Sequence, residues 1–365
     1  MIDRRFLIHF DWGLLGIVLL ISAMGILNLY SATAHEETTG MPLYFKQILW
    51  LGFGLGIMLA ITFFEYRHYT DFAYLLHGVA VVLLVVVLAF GIITSGAQRW
   101  IRLGPLTFQP SEFVKISLIL ALAKYFQRYP GREGFSLKQI GLPLLLFLVP
   151  MGLILKQPDL GTAILLLLVF LSILVYARVR WSVLATLAGT GLFLVPIAWR
   201  LLKDYQKQRI ITFLNPDLDP LGTGYHLIQS RIAIGSGGFF GKGFMKGTQC
   251  KLGFLPEQHT DFIFSAFGEE WGLVGCAVLL GLYLLLILKG LQIAENSKDR
   301  FGAILSFGVV AMIFWHTFIN IAMVLGLLPV VGIPLPLFSY GGSFLLSTLM
   351  GIGLLQNVNI RRYLF

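Results

Sequence analysis

The chain has 365 residues, of which 57% are hydrophobic and only 12% are charged, and its mean hydropathy is +0.82. Soluble domains carry about 25% charged residues, so this composition excludes a soluble globular protein and indicates a membrane protein with several spans. The formal charge of +9 indicates no nucleic-acid binding, because most Lys and Arg residues lie in short segments between apolar stretches. Cys250 and Cys276 show no metal-ligand spacing and predict no disulfide.

The first apolar stretch follows Arg4 and Arg5, and small residues at 32–34 resemble a signal-peptidase site. Residues 12–30 are nevertheless long enough to cross the ~30 Å hydrocarbon core, so they predict an uncleaved first helix. The whole chain, 1–365, is predicted to be one all-α, polytopic membrane domain. Its ten predicted spans are 12–30, 44–64, 72–93, 111–126, 140–156, 161–176, 181–199, 262–288, 301–328 and 338–358.

The orientation follows from charge. Ten spans place both termini on one side, and the termini and even-numbered loops carry most of the Lys and Arg residues. The positive-inside rule therefore predicts that both termini are cytoplasmic. Residues 200–260, between helices 7 and 8, are predicted to be a large extracytoplasmic loop. Its first half is basic and amphipathic, whereas GYHLIQSRIAIGSGGFFGKGFMKG has too short an apolar centre to span, which predicts a re-entrant or surface segment.

Four polar clusters interrupt the apolar background, at 96–115, 156–162, 225–270 and 336–343, and the loop count places all four on the outer side. Glycosyl or phosphate chemistry needs cations for a diphosphate, a carboxylate base and a polar cavity, and these clusters contain residues of each kind. Arg99 and Arg102 can hold phosphate oxygens, although with Trp100 they are also typical of an interfacial belt.

The spacing of Glu112 and Lys115 places them on one helical face, where they can form an ion pair that is structural or part of a binding site. Asp159 follows a proline and precedes an apolar stretch, so capping or structural pairing is favoured over catalysis. Three isolated histidines, His77, His226 and His316, are interpreted as packing residues, and no HExxH-type metal motif is present.

Asp261 begins the eighth predicted helix, in the stretch LPEQHTDFIFSAFGEE. If that helix includes Glu257, then Glu257, Asp261 and Ser265 form a stripe at i, i+4 and i+8. A partly desolvated carboxylate at the outer mouth can serve as a general base near neutral pH. The alternative is that Asp261 caps the helix, and the residues alone do not separate these two roles.

The clusters, taken in order, resemble the SEDS family (shape, elongation, division and sporulation proteins) across nearly the whole chain. The matching stretches are RWIRLGPLTFQPSEFVK, QPDLGTA, GYHLIQSRIAIGSGGFFGKG, LPEQHTDFIFSAFGEEWG and PLFSYGGS. The compact length and short tails are closer to the elongation members of that family than to its division members.

The resemblance implies a peptidoglycan glycosyltransferase that polymerises lipid II on the outer face of the bacterial cytoplasmic membrane, together with a class B penicillin-binding protein. The essential aspartate of the family's HTDF stretch corresponds to Asp261. The substrate-binding candidates are Arg99, Trp100, Arg102, Glu112, Lys115, Asp159, Arg209, Tyr225, Arg231, Glu257, His259, Ser339 and Ser343. The charge of the leaving group is assigned to Arg99, Arg102, Lys115, Arg209, Arg231 or a divalent cation such as Mg²⁺, and no metal ligand is assigned.

Two other functions fit parts of the pattern. A flippase for a polyprenyl-linked precursor would also contain intramembrane charges, but the sequence shows no paired inverted repeat, and its polar groups cluster on one side. A non-enzymatic scaffold of the elongation machinery would leave Asp261 with no role beyond capping.

Overall fold

The structure is a computed structural model that describes residues 8–34, 40–94, 97–104, 106–128, 134–215, 219, 222–255 and 258–364. In chain order its elements are α1 (Trp12–Thr33), α2 (Leu43–Phe63), α3 (Tyr66–Phe90), β1 (Ile92–Thr94), β2 (Ala97–Leu103), β3 (Leu106–Phe108), α4 (Pro110–Arg128), α5 (Gly141–Lys156), α6 (Leu160–Tyr176), α7 (Trp181–Leu201), α8 (Asp204–Leu214), α9 (Thr223–Gly237), α10 (Thr248–Lys251), α11 (Ile263–Glu295), α12 (Arg300–Val324) and α13 (Gly342–Leu364).

Each of the ten predicted spans corresponds to one helix. Among the described residues, seven helices are long and apolar enough to cross a membrane, namely α1, α2, α3, α7, α11, α12 and α13, and α5 and α6 are shorter apolar helices. The remaining helix that corresponds to a predicted span is α4, which carries the Glu112–Lys115 pair on a face buried in the bundle. The all-α class with about ten spans is therefore confirmed.

The bundle has a clear centre and periphery. In the most apolar stretch of each helix, 94% of the residues of α13 and 72% of those of α12 are buried, against 6% for α7. α13 packs along α2, and α12 packs against α4, α6 and α11. The polar residues of α12 and α13 therefore meet other protein groups rather than lipid, which is why these helices tolerate them.

Two predicted helix starts were wrong. The third helix begins at Tyr66 rather than at 72, since the Tyr66 hydroxyl donates to Asp299 at 2.6 Å and its ring stacks on Phe301. The last helix begins at Gly342 rather than at 338, because residues 338–341 bind a neighbouring segment instead of continuing a helix.

A small antiparallel sheet, which the sequence analysis did not predict, occupies the connection between α3 and α4. Its order is β1-β2-β3, with Trp100 opposite Ile92 and Ile101 opposite Phe108. Side chains alternate between the faces of a strand, so Arg99 points to one face of β2, and Trp100 and Arg102 point to the other.

The described residues between 200 and 260 include the three helices α8, α9 and α10. The basic, amphipathic part forms α8, and α9 runs beside the first turns of α11, where the Ser230 and Ser265 hydroxyls lie 2.8 Å apart. The next residues, 238–243, enter a break in α11.

The break in α11 lies at Gly272, whose φ of 62° and ψ of −162° are not helical. Backbone N–H groups of Lys242 and Gly243 donate to the carbonyls of Glu269 and Glu270, each at 3.0 Å. Residues 238 and 239 in turn accept from residues 273 and 274, so the inserted segment satisfies backbone groups that the break would leave unpaired. A Cβ on Gly241 would lie 2.0 Å from the Glu270 carbonyl oxygen, so only glycine fits there.

Candidate active site

Asp261 lies in a turn whose backbone is bound to the connection between α12 and α13. Ser339 Oγ donates to the Thr260 carbonyl at 2.7 Å, and the backbone N–H of Tyr340 donates to the His259 carbonyl at 3.0 Å. On the other side, Asn320 Nδ2 donates to the Asp261 carbonyl at 3.0 Å. These bonds fix the position of the turn, so the Asp261 side chain extends from a rigid backbone.

The Asp261 carboxylate is half-buried and lies beside Gly332, where a Cβ would be 3.3 Å from Oδ2. α11 begins only at Ile263, and its N-cap is Phe262, without a side-chain capping bond. The predicted helical stripe through Asp261 and Ser265 is therefore wrong, because Asp261 precedes the helix, and Glu257 lies outside the described residues. Asp261 is also not the N-cap of α11, which weakens the capping alternative.

A small basic cavity of about 80 Å³ lies next to this turn, lined in part by Arg99, Tyr205, Arg209 and Val331. Arg209 Nη1 donates to the Val330 carbonyl at 3.4 Å. Because Val330 and Val331 lead directly to Gly332, the cavity and Asp261 lie along one extended segment.

Arg99 and Asp159 meet at the edge of this cavity. Arg99 Nη2 donates to the Pro158 carbonyl at 2.6 Å, and Nη1 lies 3.6 Å from Asp159 Oδ1. Asp159 also accepts from the backbone N–H of Thr162 at 3.1 Å and from its hydroxyl at 2.9 Å. The favoured capping and pairing role of Asp159 is therefore confirmed. The side chain of Arg99 keeps 28% exposure, whereas that of Asp159 keeps 4%.

Arg102 does not join Arg99. It is exposed on the opposite face of β2, together with the half-buried Trp100. A strand reverses its side chains at each residue, so two arginines three positions apart cannot share a face, as they would on a helix.

The predicted pair of Glu112 and Lys115 is confirmed, with Lys115 Nζ 2.7 Å from Glu112 Oε2. The same Nζ lies 2.9 Å from His316 Nε2, and Ser347 Oγ donates to Glu112 at 3.1 Å. An ammonium has only donors, so His316 Nε2 accepts and the neutral ring carries its proton on Nδ1. His316 is thus part of a buried ionic cluster, not a packing residue. His77 fits the packing interpretation, with ring contacts to Ser117 Oγ and the Leu146 carbonyl.

The two predicted serines have architectural contacts. Ser339 Oγ accepts from the Leu335 backbone N–H at 2.8 Å as well as donating to Thr260. Ser343 Oγ accepts from the Gln109 backbone N–H at 3.1 Å, which attaches the start of α13 to the start of α4.

The remaining candidates are more scattered. The His259 ring lies 6.3 Å from that of Tyr340, so it is at the Asp261 turn. Arg231 lies on α9 beside Gly326, and Tyr225 contacts His226.

Sequence reasoning missed two residues that shape the site. Asn320 binds the carbonyls of Asp261 and Ile333, the latter at 2.7 Å. Gln47 Nε2 donates to the Ser339 carbonyl at 3.1 Å. Both are polar residues within apolar helices, and that was the available signal.

Comparisons with known proteins agree with this architecture. The FTSW_RODA_SPOVE family of cell cycle proteins matches residues 9–364. Peptidoglycan glycosyltransferase MrdB of Escherichia coli K12 is 43% identical over 356 residues, covering 97% of this chain and 95% of MrdB. Peptidoglycan glycosyltransferase RodA of Treponema pallidum is 35% identical over 426 residues, covering 97% of this chain and 98% of RodA.

Solved structures are similar over the same length. A chain of a peptidoglycan synthase complex, solved in work on the coordination of polymerization and crosslinking, matches with a TM-score of 0.83 and 38% identity, covering 97% of this chain and 98% of that one. Thermus thermophilus RodA matches with a TM-score of 0.72 and 34% identity, at the same two coverages.

Proposed function

Because this chain belongs to the FtsW/RodA/SpoVE family of cell cycle proteins, we propose that it polymerises lipid II with Asp261 as the general base. The chain is a peptidoglycan glycosyltransferase and a multi-pass protein of the bacterial inner membrane. The observation that carries the choice of Asp261 is its place: a half-buried carboxylate on a fixed turn, beside Gly332 and next to a basic cavity.

The reaction is a displacement at the anomeric carbon of a lipid-linked MurNAc. The 4-hydroxyl of the GlcNAc on a second lipid II attacks, Asp261 takes the hydroxyl proton, and polyprenyl diphosphate leaves with the bonding electrons. An α-linked donor gives a β-1,4 bond through one inversion, so no covalent enzyme intermediate is required. A positioned general base accounts for about two to four orders of magnitude in rate.

The leaving diphosphate needs positive charge. Arg99 and Arg209 both line the cavity beside the Asp261 turn, and guanidinium groups match phosphate oxygens bidentately. Arg102 is directed away on the other face of β2, and Lys115 is already bound by Glu112 and His316. We therefore assign the leaving group to Arg99 and Arg209.

A divalent cation such as Mg²⁺ is the other source of positive charge. Within the part of the chain that the structure describes, no group of three or more His, Cys, Asp or Glu side chains could hold a metal. Mg²⁺ would therefore bind through the Asp261 carboxylate together with substrate phosphates, as it does at other phosphate sites.

The orientation and the partner complete the proposal. Both termini face the cytoplasm, so that the Asp261 end of the bundle faces outward, as the charge asymmetry of the loops predicts. The similarity to a chain of a synthase complex that also crosslinks supports a class B penicillin-binding transpeptidase as the partner. The similarity to Thermus thermophilus RodA, a rod shape determining protein, supports a role in elongation and cell shape.

The test is Asp261→Asn in purified protein, assayed on lipid II with its partner. Asparagine keeps the size and the acceptor oxygen of the side chain but cannot take a proton. We expect the thermal stability to be unchanged and the polymer yield to fall about 10²–10⁴-fold. Asp11→Asn is the matched control, because Asp11 caps α1 at the opposite end of the bundle and asparagine caps a helix as well as aspartate does, and it should retain most polymerisation. Near-parental activity of Asp261→Asn would refute the assignment and direct attention to Glu257 or Asp159.

A further inference from the structure

A second basic cavity lies at the end of the bundle opposite to Asp261. It has a volume of about 320 Å³ and is lined by Gly134, Val175, Arg178, Val179, Arg180, Trp181 and Leu184. Asp159 begins α6 at the active-site end, and this cavity lies where α6 ends. The 17 residues of α6 separate the two sites by about 25 Å. The cavity is therefore distinct from the site of glycosyl transfer.

The backbone around the two arginines is fixed by a neighbouring loop. The backbone N–H of Phe135 donates to the Arg178 carbonyl at 3.4 Å, and that of Arg180 donates to the Phe135 carbonyl at 3.2 Å. Phe135 and Val179 form a parallel β-bridge. Arg300 adds a third cation nearby, since its Nη2 donates to the Ala177 carbonyl at 3.0 Å. These backbone bonds hold Arg178 and Arg180 close together, with Arg300 beside them.

Local structure does not explain why arginine stands at position 178. Arg178 has φ of +64°, a left-handed conformation in which glycine is favoured over any other residue. No carboxylate of the described residues lies within ion-pair distance of Arg178.

The rim of the cavity is apolar and exposed. Trp181 keeps 78% of its surface accessible and Val175 keeps 51%. Tryptophan is enriched where a membrane helix passes the headgroup level. Trp181 is the first residue of α7, at the point where α6 and α7 meet. The cavity therefore combines guanidinium groups on one side with lipid-facing side chains on the other, which matches the boundary between a headgroup and its acyl chains.

We propose that this cavity binds the phosphate headgroup of an anionic phospholipid, with Arg178 and Arg180 holding the phosphate oxygens and Trp181 packing against the glycerol and upper acyl chain. Planar guanidinium groups match phosphate oxygens bidentately. This step rests on the proposed orientation, which puts this end of the bundle at the cytoplasmic face, where basic pockets between membrane helices suit anionic lipids.

The experiment measures quenching of Trp181 fluorescence in nanodiscs by brominated lipid, using the full chain and taking the difference from Trp181→Phe to isolate this residue among the seven tryptophans. Brominated phosphatidylglycerol should quench Trp181 more strongly than brominated phosphatidylcholine at the same mole fraction. Each arginine removed, as Arg178→Gly or Arg180→Gln, should lower the apparent affinity for phosphatidylglycerol about fivefold. Arg67→Gln, which removes an exposed cation from the same end of the bundle, should leave it unchanged.

Arg178→Gly separates binding from folding. Because the position favours glycine, this variant should unfold at the same temperature as the parent or higher while it loses the lipid preference. Retention of that preference in the Arg178→Gly, Arg180→Gln double variant would overturn the proposal. So would equal quenching by the two brominated lipids. Inorganic phosphate at matched ionic strength should not displace the lipid, and full displacement would identify a free-phosphate site instead.

Discussion

Asp261 and Glu269 are carboxylates eight residues apart at the same end of the molecule, yet their surroundings differ in kind. Asp261 precedes α11, is half-buried, and lies beside a glycine that leaves room next to its oxygens. Glu269 is fully buried inside α11 and accepts from Lys242 Nζ at 2.6 Å, from the N–H and hydroxyl of Thr248 at 2.9 Å each, and from the Gln249 N–H at 3.1 Å.

The surroundings of the two carboxylates suit different roles, one structural and one catalytic. A buried carboxylate whose oxygens already accept several hydrogen bonds stabilises the loop that donates them, and it has no surface left for a substrate. A carboxylate at a half-open position can meet a hydroxyl and take its proton. The two acids near the start of α11 therefore differ in role. Glu269 binds the loop that follows α9, and Asp261 lies beside Gly332, next to the segment that lines the cavity.

The two ion pairs at this end repeat the contrast. The side chains of Lys115 and Glu112 keep 1% and 6% exposure and lie 2.7 Å apart, whereas Arg99 keeps 28% exposure and lies 3.6 Å from Asp159. A closed pair resists rearrangement, because exposing either charge alone is costly. An open pair can exchange its partner for an incoming anion.

The largest expected effect comes from removing the buried ion pair of Lys115 and Glu112. Lys115→Met keeps the length of the side chain but leaves Glu112 buried with only the Ser347 hydroxyl, so the free energy of unfolding should fall by about 3–5 kcal/mol. The measurement is unfolding by SDS in mixed micelles. A loss below about 1 kcal/mol would mean that the pair is incidental.

Exchanging the two residues sharpens this test. In the double variant with Glu112→Lys and Lys115→Glu, the new ammonium can donate to the Ser347 hydroxyl, and the new carboxylate can accept from His316 once its proton moves to Nε2. We expect the double variant to recover most of the stability that Lys115→Met loses. Recovery of stability without recovery of polymerisation would show that this cluster also contacts substrate.

A smaller loss is expected at Glu269. Glu269→Ala leaves the N–H groups of Thr248 and Gln249 without their acceptor, but Lys242 is partly exposed and can be hydrated. The free energy of unfolding should fall by about 2–4 kcal/mol. Glu269→Gln keeps an acceptor oxygen and should lose about half as much. If Glu269→Gln lost polymerisation at full stability, the division between a holding and a reacting carboxylate would be wrong.

A substitution in the partly exposed Arg99–Asp159 pair should lower activity more than stability. Arg99→Lys keeps the charge but cannot serve Pro158, Asp159 and a phosphate at once, so kcat/KM for lipid II should fall about tenfold, the worth of one charge-assisted hydrogen bond. Stability should change by less than about 1 kcal/mol. Arg102→Lys is the matched control on the opposite face of β2 and should behave as the parent. Equal effects of the two substitutions would remove Arg99 from the site.

Features that depend on nearby residues in the sequence could be predicted, whereas features that depend on tertiary packing could not. The number and order of the spans, the Glu112–Lys115 pair and the cap at Asp159 depend on composition and short spacing, and these were predicted correctly, whereas two helix starts were not. The separation of Arg102 from Arg99 could not be predicted, because a short strand was not recognised and the alternation of its side chains was therefore missed. The membership of His316 in the Lys115 cluster could not be predicted, because it depends on how α4 and α12 pack, 201 residues apart in the chain.

The smallest expected effect concerns the opposite end of the molecule, where Asp11 caps α1 and binds Lys289 at 2.8 Å. Burial raises the pKa of Asp11, but the Lys289 ammonium and the Leu14 N–H outweigh it and hold the pKa below the ordinary value of 3.8. A lowered folded-state pKa contributes stability that is fully present above 3.8 and is lost as the pH falls through the folded value.

Asp11→Asn retains the cap but removes the charge, so it should cost about 0.5–1 kcal/mol at neutral pH. Unfolding temperatures of the parent and the variant should converge as the pH falls below 3.8, since both side chains are then neutral. A difference that stayed constant through that range would show that Lys289 contributes nothing through charge.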